Sequence, residues 1–432
     1  MTGRTRPLSK ADFDRHLSET YAAEGIASTE LADEFESRND LSSLLEDIPQ
    51  TADLLDTDDD APIIRLINGL IAEAVRQRAS DIHVEPFEER LVVRLRIDGV
   101  MHEILSLSQR LAPVLVSRIK VMARLDIAEK RIPQDGRISL TLGGRSLDVR
   151  VSTLPSKGGE RVVMRLLDKS QNQFRVEDLG MGEALQARYK KALSQPNGII
   201  LVTGPTGSGK TTTLYGGLAL LNDHSRNILT VEDPIEYAIE GVGQTQVNAK
   251  VGMTFAAGLR AILRQDPDVV MVGEIRDPET AEIAVQASLT GHLVLSTVHT
   301  NDAISAIARL RDMGVEPFLL ASTVKAILAQ RLVRRLCPHC RTPFEAGEAE
   351  RTLMNLAPAE QLTLYAPAGC EMCQQTGYQG RMGIFEMVSV GEELRRHIHD
   401  DAREHELSEI AFRDNETLLQ SGLHHVRAGD TS

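Results

Sequence analysis

Several residue types are scarce in this sequence, and each shortage excludes a class of protein. The 432 residues include no tryptophan, and aromatic residues make up only 3% of the chain. So little aromatic surface argues against binding of single-stranded nucleic acid by base stacking. No apolar run approaches the ~20 residues of a membrane-spanning helix, and the acidic N-terminus lacks the apolar segment of a secretory signal. We therefore expect a cytoplasmic protein.

Basic residues are scarce at one end of the chain. Residues 1–60 hold 5 Lys/Arg against 16 Asp/Glu, whereas the remaining residues hold 43 against 46. The net charge of −14 therefore belongs mainly to an acidic N-terminal arm. A near-neutral body lacks the basic surface of a general nucleic-acid binder, so we expect no nucleic-acid partner.

Cysteine is scarce too, but its four positions form a pattern. Two Cys-x-x-Cys pairs, 29 residues apart, comprise Cys337, Cys340, Cys370 and Cys373. Two such pairs offer four thiolates to one tetrahedral ion, which fits Zn²⁺ without redox chemistry. Redox pairs or free thiols are the alternative. We expect a closed, structural or partner-facing zinc site, with a helical excursion between the pairs.

The first part of the chain predicts an acidic arm followed by a small domain. Residues 1–60 are typical of a partly disordered arm and linker. Residues 61–170 predict an α+β domain, with an amphipathic helix from Pro62 and a hairpin at Asp98-Gly99. The remaining expected elements are a helix at 114–125, strands at 138–142 and 146–151 that meet at Gly143-Gly144, and a strand at 161–167.

The rest of the chain predicts a larger α/β domain. Residues 171–182 are read as a linker, and residues 183–432 as one domain that includes the cysteine segment 337–373. Buried strands are expected at 198–203, 227–232, 268–272 and 292–297, with helices between them. This alternation is typical of a parallel sheet with crossover helices.

A glycine-rich stretch in this domain carries the signature of nucleotide binding. It follows an apolar strand pattern, precedes a helical one, and comprises Gly204, Pro205, Thr206, Gly207, Ser208, Gly209, Lys210, Thr211 and Thr212. The glycines let backbone N–H groups surround phosphate oxygens, and the helix N-terminus adds further donors. We expect Lys210 to reach the β- and γ-phosphates of ATP and Thr211 to bind Mg²⁺. An ordinary glycine-rich turn is the alternative.

Carboxylates follow two of the neighbouring strands. Glu232, Asp233 and Glu236 come at or just after one strand, and Glu274 follows another. Ligands gather at the carboxyl ends of parallel strands, so both groups are expected to face the nucleotide. These carboxylates are the candidates for positioning water or anchoring Mg²⁺. Solvated loop carboxylates are the alternative reading.

Histidines and arginines supply further candidates. His292 and His299 flank a predicted strand, and a polar role near the γ-phosphate competes with a capping or core role. Taken alone, four arginines are typical of surface ion pairs: Arg150, Arg165, Arg260 and Arg264. They gain importance only if a neighbouring domain brings them to the γ-phosphate.

Taken together, the motifs resemble the type II/type IV secretion ATPases, and among them most closely the E-type ATPases of type II secretion. The resemblance runs from about Ala61 to Arg427. It rests on the phosphate loop, the cysteine pairs and the segments 79–83, 130–137, 232–236, 258–268, 272–277, 289–292 and 296–301. It implies a RecA-like ATPase domain preceded by a smaller α+β domain.

The resemblance also implies roles for the candidates. It makes Glu274 part of an atypical Walker B motif, and places the other three carboxylates in an Asp box and both histidines in a His box. It brings the four arginines toward the γ-phosphate. It further implies a homo-hexamer that hydrolyses ATP to drive pseudopilus assembly and protein export. Such a ring lies in the cytoplasm on inner-membrane platform proteins, and an acidic phospholipid surface is a further partner to test.

Other functions share some of these features. A type IV pilus extension ATPase carries the same motifs. A RecA-like nucleic-acid translocase would use the zinc segment to grip DNA, and a regulatory subunit would carry a vestigial loop. Fuller members of the family have a separate N-terminal docking domain where residues 1–60 stand here, and usually continue past the position of Ser432.

Overall fold

The computed structural model describes residues 61–142, 145–168, 175–357 and 360–432. The acidic arm, the Gly143-Gly144 turn and the first part of the predicted linker lie outside the described residues. The chain divides into two compact units between Gln171 and Asn172. Among the helices that the structure describes, none has the length and apolar character needed to cross a membrane.

The first unit is an antiparallel sheet with two helices packed on one face. Its elements are α1 (Ala61–Arg76), β1 (Asp81–Pro86), β2 (Arg90–Ile97), β3 (Val100–Ser108), α2 (Ala112–Met122), β4 (Gln134–Leu142), β5 (Arg145–Ser156) and β6 (Gly159–Asp168). The order of the described strands is β3-β2-β1-β6-β5-β4. Leu70 of α1 and Ile119 of α2 pack in one core with Ile82 of β1.

The predicted turn between β2 and β3 is confirmed. Asp98 and Gly99 both have positive φ angles, 49° and 86°, and Ile97 pairs directly with Val100. Two residues with positive φ form the hairpin turn whose twist matches that of the flanking strands. Strand β1, which the sequence reading did not predict, pairs with both β2 and β6.

The second unit is an α/β domain. Its elements are α3 (Glu183–Leu193), β7 (Gly198–Thr203), α4 (Lys210–Leu221), β8 (Ile228–Glu232), β9 (Gly243–Gln246), α5 (Phe255–Ile262), β10 (Val269–Val272), α6 (Pro278–Leu289), β11 (Leu293–Val298), α7 (Ala303–Asp312), α8 (Pro317–Thr323), β12 (Val324–Leu336), β13 (Thr342–Glu345), α9 (Glu348–Leu353), β14 (Thr363–Ala366), β15 (Tyr378–Ser389), α10 (Glu392–His399), α11 (Glu404–Ala411) and α12 (Leu418–Arg427).

The main sheet of this unit has the described strand order β15-β12-β7-β11-β10-β8-β9. All neighbours are parallel except β15, which runs antiparallel to β12 at one edge. The central strands are apolar because both faces are covered: Ile199 and Leu201 enter one core, and Ile200 and Val202 enter the other. The predicted α/β fold with a parallel sheet is confirmed.

Candidate functional site

The phosphate loop leaves the sheet where β7 ends and leads into α4. Gly204, Gly207 and Gly209 have φ angles of 149°, 78° and 88°, in the left-handed region that favours glycine. At Gly204 there is also no space for a side chain, because a Cβ would lie 2.5 Å from the Gln330 carbonyl oxygen. Residues 204–209 therefore form a tight loop ahead of the first turn of α4.

Lys210 begins α4 and folds back over this loop. Its Nζ donates to the carbonyl oxygens of Gly204 and Pro205, both at 2.9 Å. Burial lowers the pKa of Lys210 to about 8, the charge of Glu274 opposes this fall, and the charge of Arg331 reinforces it. A buried cation with a lowered pKa gains most when an anion arrives beside it. Thr211 and Thr212 follow on the exposed first turn.

Glu274 lies at the same edge of the sheet, two residues after β10. Its carboxylate accepts a hydrogen bond from Arg276 Nη1 at 2.9 Å, and its Oε2 lies 3.5 Å from His299 Nε2. Arg276 also lies 3.8 Å from Asp233 Oδ2 and packs over the Phe255 ring. The structure therefore brings two predicted carboxylates, Glu274 and Asp233, to one arginine, and places the predicted His299 beside Glu274.

Glu232 is placed differently from the expectation. Its side chain is 3% exposed and accepts hydrogen bonds from Thr230 Oγ1 at 2.6 Å, Gln244 Nε2 at 3.0 Å and the Tyr215 hydroxyl. This carboxylate is engaged inside the subunit, where it joins β8 and β9 to α4. The structure therefore shows Glu232 in a supporting position, and its contact with nucleotide stays a prediction.

The Tyr215 hydroxyl also receives a hydrogen bond from the backbone N–H of Glu236, at 3.4 Å. Burial and the charge of Glu232 raise the pKa of Tyr215 well above its usual range, so this hydroxyl stays protonated and donates. Glu236 is thus held through its main chain beside the buried network. The network ties the segment after β8 to the helix that carries Lys210.

His292 lies at the opposite edge of the sheet. It precedes β11, and its carbonyl oxygen accepts from Gly198 N at the start of β7, whereas the loop follows the end of β7. Six residues of strand separate the two edges, roughly 20 Å. The His292 ring hydrogen-bonds the Ala287 carbonyl oxygen at 2.8 Å. Within this subunit His292 therefore lies away from the loop, and its contact with nucleotide stays a prediction.

The four candidate arginines are divided between the two units. Arg260 donates to Glu279 Oε1 at 2.6 Å, and Arg264 donates to the Arg260 carbonyl oxygen at 2.9 Å. In the first unit, Arg165 and Arg150 are directly opposite each other on β6 and β5. Arg165 Nε donates to Asp81 Oδ1 at 2.9 Å, and its side chain is 55% exposed.

The cysteines come together as the spacing predicts. All four Sγ atoms lie within 4.8 Å of one another, and three of the separations are 3.9, 3.7 and 3.7 Å. Tetrahedral Zn–S bonds of about 2.3 Å give S···S separations of about 3.8 Å, so the four thiols fit a zinc ion.

The surroundings act differently on two of these sulfurs: burial raises the pKa of Cys340 to about 11, whereas those of Cys373 favour the thiolate. Burial raises the pKa of Cys373, but hydrogen bonds from the backbone N–H groups of Cys370 and Gly377, at 3.2 Å each, lower it to about 6. Between the pairs the chain forms the two-stranded sheet β13–β14 and the short helix α9. The prediction of a helical segment between the two cysteine pairs is therefore wrong in part, because the segment contains two strands as well as a helix.

Comparison with known proteins agrees with this architecture. A model described as "Type II/IV secretion system protein" matches residues 56–432. The chain belongs to the type II/IV secretion system protein family. The resemblance stated from the motifs is confirmed.

Named members of this family include close relatives of the chain. The type II secretion system protein E of Pseudomonas aeruginosa is 58% identical over 433 residues, covering 100% of this chain and 86% of its relative. The type II secretion system ATPase E of Vibrio cholerae is 55% identical over 426 residues, covering 98% and 85%.

Solved structures share the fold. The Legionella pneumophila ATPase DotB aligns with a TM-score of 0.62 at 20% identity, covering 85% of this chain and 92% of that one. The pilus retraction motor PilT with bound ADP aligns with a TM-score of 0.56 at 26% identity, covering 85% and 94%. The secretion ATPase fold is therefore shared with a pilus motor.

Several residues at the candidate site were not singled out from the sequence. Arg276 stands two positions after Glu274, and its spacing from that carboxylate was the available signal. Tyr215 and Gln244 carry no local signal, because they meet Glu232 only after the strands have assembled. Arg331 lies on β12 and donates to Asn301 Oδ1 at 3.1 Å and to the Asn301 carbonyl oxygen at 2.9 Å.

Proposed function

We propose that this protein hydrolyses ATP with Mg²⁺ to drive pseudopilus assembly and protein export through the type II secretion system. The observation that carries the proposal is the meeting of a phosphate loop and Glu274 at one edge of the sheet. The relatives named as type II secretion E proteins support the assignment to secretion. ATP is held by the loop N–H groups, by Lys210 and by the first turn of α4.

The hydrolytic step is assigned to the cluster around Glu274. Mg²⁺, when bound, would neutralise the negative charge that develops on the phosphate oxygens, and the exposed Thr211 hydroxyl would be one of its ligands. Glu274 orients or deprotonates the attacking water. Arg276 and His299 hold both carboxylate oxygens of Glu274 in place, while Asp233 pairs with Arg276 from the neighbouring strand.

Arg150 and Arg165 of the first unit supply positive charge from a different domain than the one that carries Lys210. Arg165 keeps an exposed guanidinium although Asp81 holds its Nε, so donors remain for an anion. We assign Arg150 and Arg165 to the γ-phosphate after domain closure, with Arg260 and Arg264 acting between subunits of a homo-hexamer. Arginine contacts of this kind stabilise the transition state of phosphoryl transfer.

The cysteine cluster binds zinc and supports the fold, since four thiolate ligands leave no open position for catalysis. We place the protein in the cytoplasm, bound peripherally to the inner membrane through the platform proteins of the secretion machine. An acidic phospholipid surface is a second contact to test. The domain limits proposed are 61–170, 171–182 and 183–432, after the arm 1–60.

Assembly of a type IV pilus is the second candidate, because an extension ATPase carries the same motifs and the fold is shared with a pilus motor, the retraction motor PilT. A cell-based assay separates the two. In a strain deleted for this gene, the wild-type chain and a Lys210→Ala variant are compared for protein secreted into the medium and for surface pili. We expect restored secretion from the wild-type chain alone. Restored piliation without secretion would favour the pilus function.

A further inference from the structure

Gln330 lies under the phosphate loop although it is distant from it in sequence. It belongs to β12, which pairs in parallel with β7 so that Ala329 is opposite Thr203, the last residue before the loop. Gln330 is the next residue along β12 and is 2% exposed. An amide side chain buried at this depth needs a partner at each end.

Both ends of the Gln330 amide bind the segment that holds phosphate. Nε2 donates to the Ser208 carbonyl oxygen at 2.6 Å, and Oε1 accepts from Thr213 Oγ1 at 2.7 Å. Ser208 and Thr213 are themselves buried. The Ser208 carbonyl oxygen can only accept, so it requires the NH₂ end of the amide, and the Thr213 hydroxyl then donates to the oxygen end.

Gln330 also limits the space at two glycines of the loop. Its carbonyl oxygen would lie 2.5 Å from a Cβ on Gly204, and its Nε2 would lie 3.1 Å from a Cβ on Gly209. The first and last glycines of the loop thus pack directly against one residue of β12. In a trans peptide the C=O and the N–H point in opposite directions. Anchoring the Ser208 carbonyl to Gln330 therefore directs the N–H of Gly209 away from β12.

We propose that Gln330 is a positioning residue of the nucleotide site, which holds the Ser208–Gly209 peptide in the orientation that presents N–H groups to phosphate. This proposal rests on the proposed function of the loop as the ATP site. Without the Gln330 donor, the Ser208 carbonyl is free to rotate toward the phosphates. A carbonyl oxygen there repels the anion, so nucleotide affinity falls while the sheet below stays intact.

The test compares dissociation constants for Mg–ADP and Mg–ATP with the melting temperature of the nucleotide-free protein. Gln330→Glu keeps the shape and the acceptor for Thr213 but loses the donor to Ser208. Gln330→Met keeps the approximate shape and loses both bonds. The matched control is Asn197→Ala, because the Asn197 amide donates to the Ser288 carbonyl oxygen at 3.3 Å, at the opposite edge of the same sheet.

We expect about tenfold weaker nucleotide binding for both Gln330 variants, because one hydrogen bond to a buried partner has this magnitude. Of the two, Gln330→Glu is expected to bind nucleotide more weakly. The control is expected to bind like the wild type. A Gln330→Glu protein that binds both nucleotides with the wild-type dissociation constant would overturn the inference. A wild-type chain that binds neither nucleotide would instead overturn the proposed function.

A second variant decides the case in which Gln330→Glu fails to fold. Thr213→Val keeps Gln330 but removes the donor to its Oε1, which leaves the amide held at one end only, so we expect about threefold weaker binding. The combined variant Thr213→Val with Gln330→Met is expected to bind no more weakly than Gln330→Met alone, because both changes act through one amide. Strictly additive losses, or an unchanged affinity in Thr213→Val, would contradict the proposal.

Discussion

The lowered pKa of Lys210 predicts that nucleotide binding takes up a proton. Burial lowers this pKa to about 8, so about half of the Lys210 side chains are neutral at pH 8 before nucleotide binds. The phosphates bring several negative charges next to Nζ and raise its pKa far above this value. Binding at pH 8 should therefore take up about 0.5 proton per site, and almost none at pH 6.5.

The same pKa sets the pH dependence of affinity. Only the charged amine binds phosphate well, so affinity is fully present below pH 8 and is lost as the pH rises through that value. Between pH 7 and pH 9 the charged fraction falls from about nine-tenths to about one-tenth, which predicts roughly tenfold weaker binding at pH 9.

Calorimetry with Mg–ADP in two buffers of different ionisation enthalpy measures the proton uptake directly. Lys210→Arg is the control, because its guanidinium stays charged throughout this range. We expect about 0.5 proton at pH 8 for the wild type and none attributable to residue 210 in the variant. Equal uptake in the two proteins, or no uptake by the wild type at pH 8, would refute the reasoning from the Lys210 environment.

Three further predictions concern the residues around the site. Tyr215→Phe leaves the buried Glu232 carboxylate one donor short and should lower the free energy of unfolding by about 2 kcal/mol in urea titrations; an unchanged midpoint would contradict the buried network. Arg276→Ala should lower kcat for ATP by about tenfold with little change in nucleotide affinity, whereas equal losses in both would place Arg276 in binding instead. Cys370→Ser should reduce bound zinc from about one ion per chain to near none and lower the melting temperature. Elemental analysis and thermal unfolding measure the two effects, with Ser389→Ala as the control variant.

The elements that were predictable from sequence are those set by local physics. The strands β7, β10 and β11 are buried on both faces, so they appear as continuous apolar runs, and the Asp98-Gly99 turn requires two positive φ angles. Strand β1 escaped prediction because it carries buried charges. Its Glu85 is stabilised by Arg94 of β2, at 2.6 Å, and by Arg161 of β6. Arg161 is 76 residues away from Glu85 in the sequence, so no local pattern shows that this charge will be paired.

The candidate site was predictable to a similar degree. The phosphate loop and Glu274 were identified because strand ends meet at one edge of a parallel sheet. His292 and His299 lie at opposite ends of β11, so within one subunit only His299 is at the edge that carries the loop, and the sequence motif alone does not show this. Gln330 was missed because β12 joins the sheet beside β7 from more than 100 residues away, and no local pattern shows which strand will support a loop.

Steady-state phosphate release tests the central claim most directly. The wild-type chain and Glu274→Gln are compared with Mg–ATP at saturating concentration, after equal nucleotide affinity has been established for both. The account predicts Mg²⁺-dependent release by the wild type and a loss of at least about a hundredfold in the variant, because the carboxylate that orients water is gone while the loop and Lys210 remain. Hydrolysis by Glu274→Gln at the wild-type rate would contradict it.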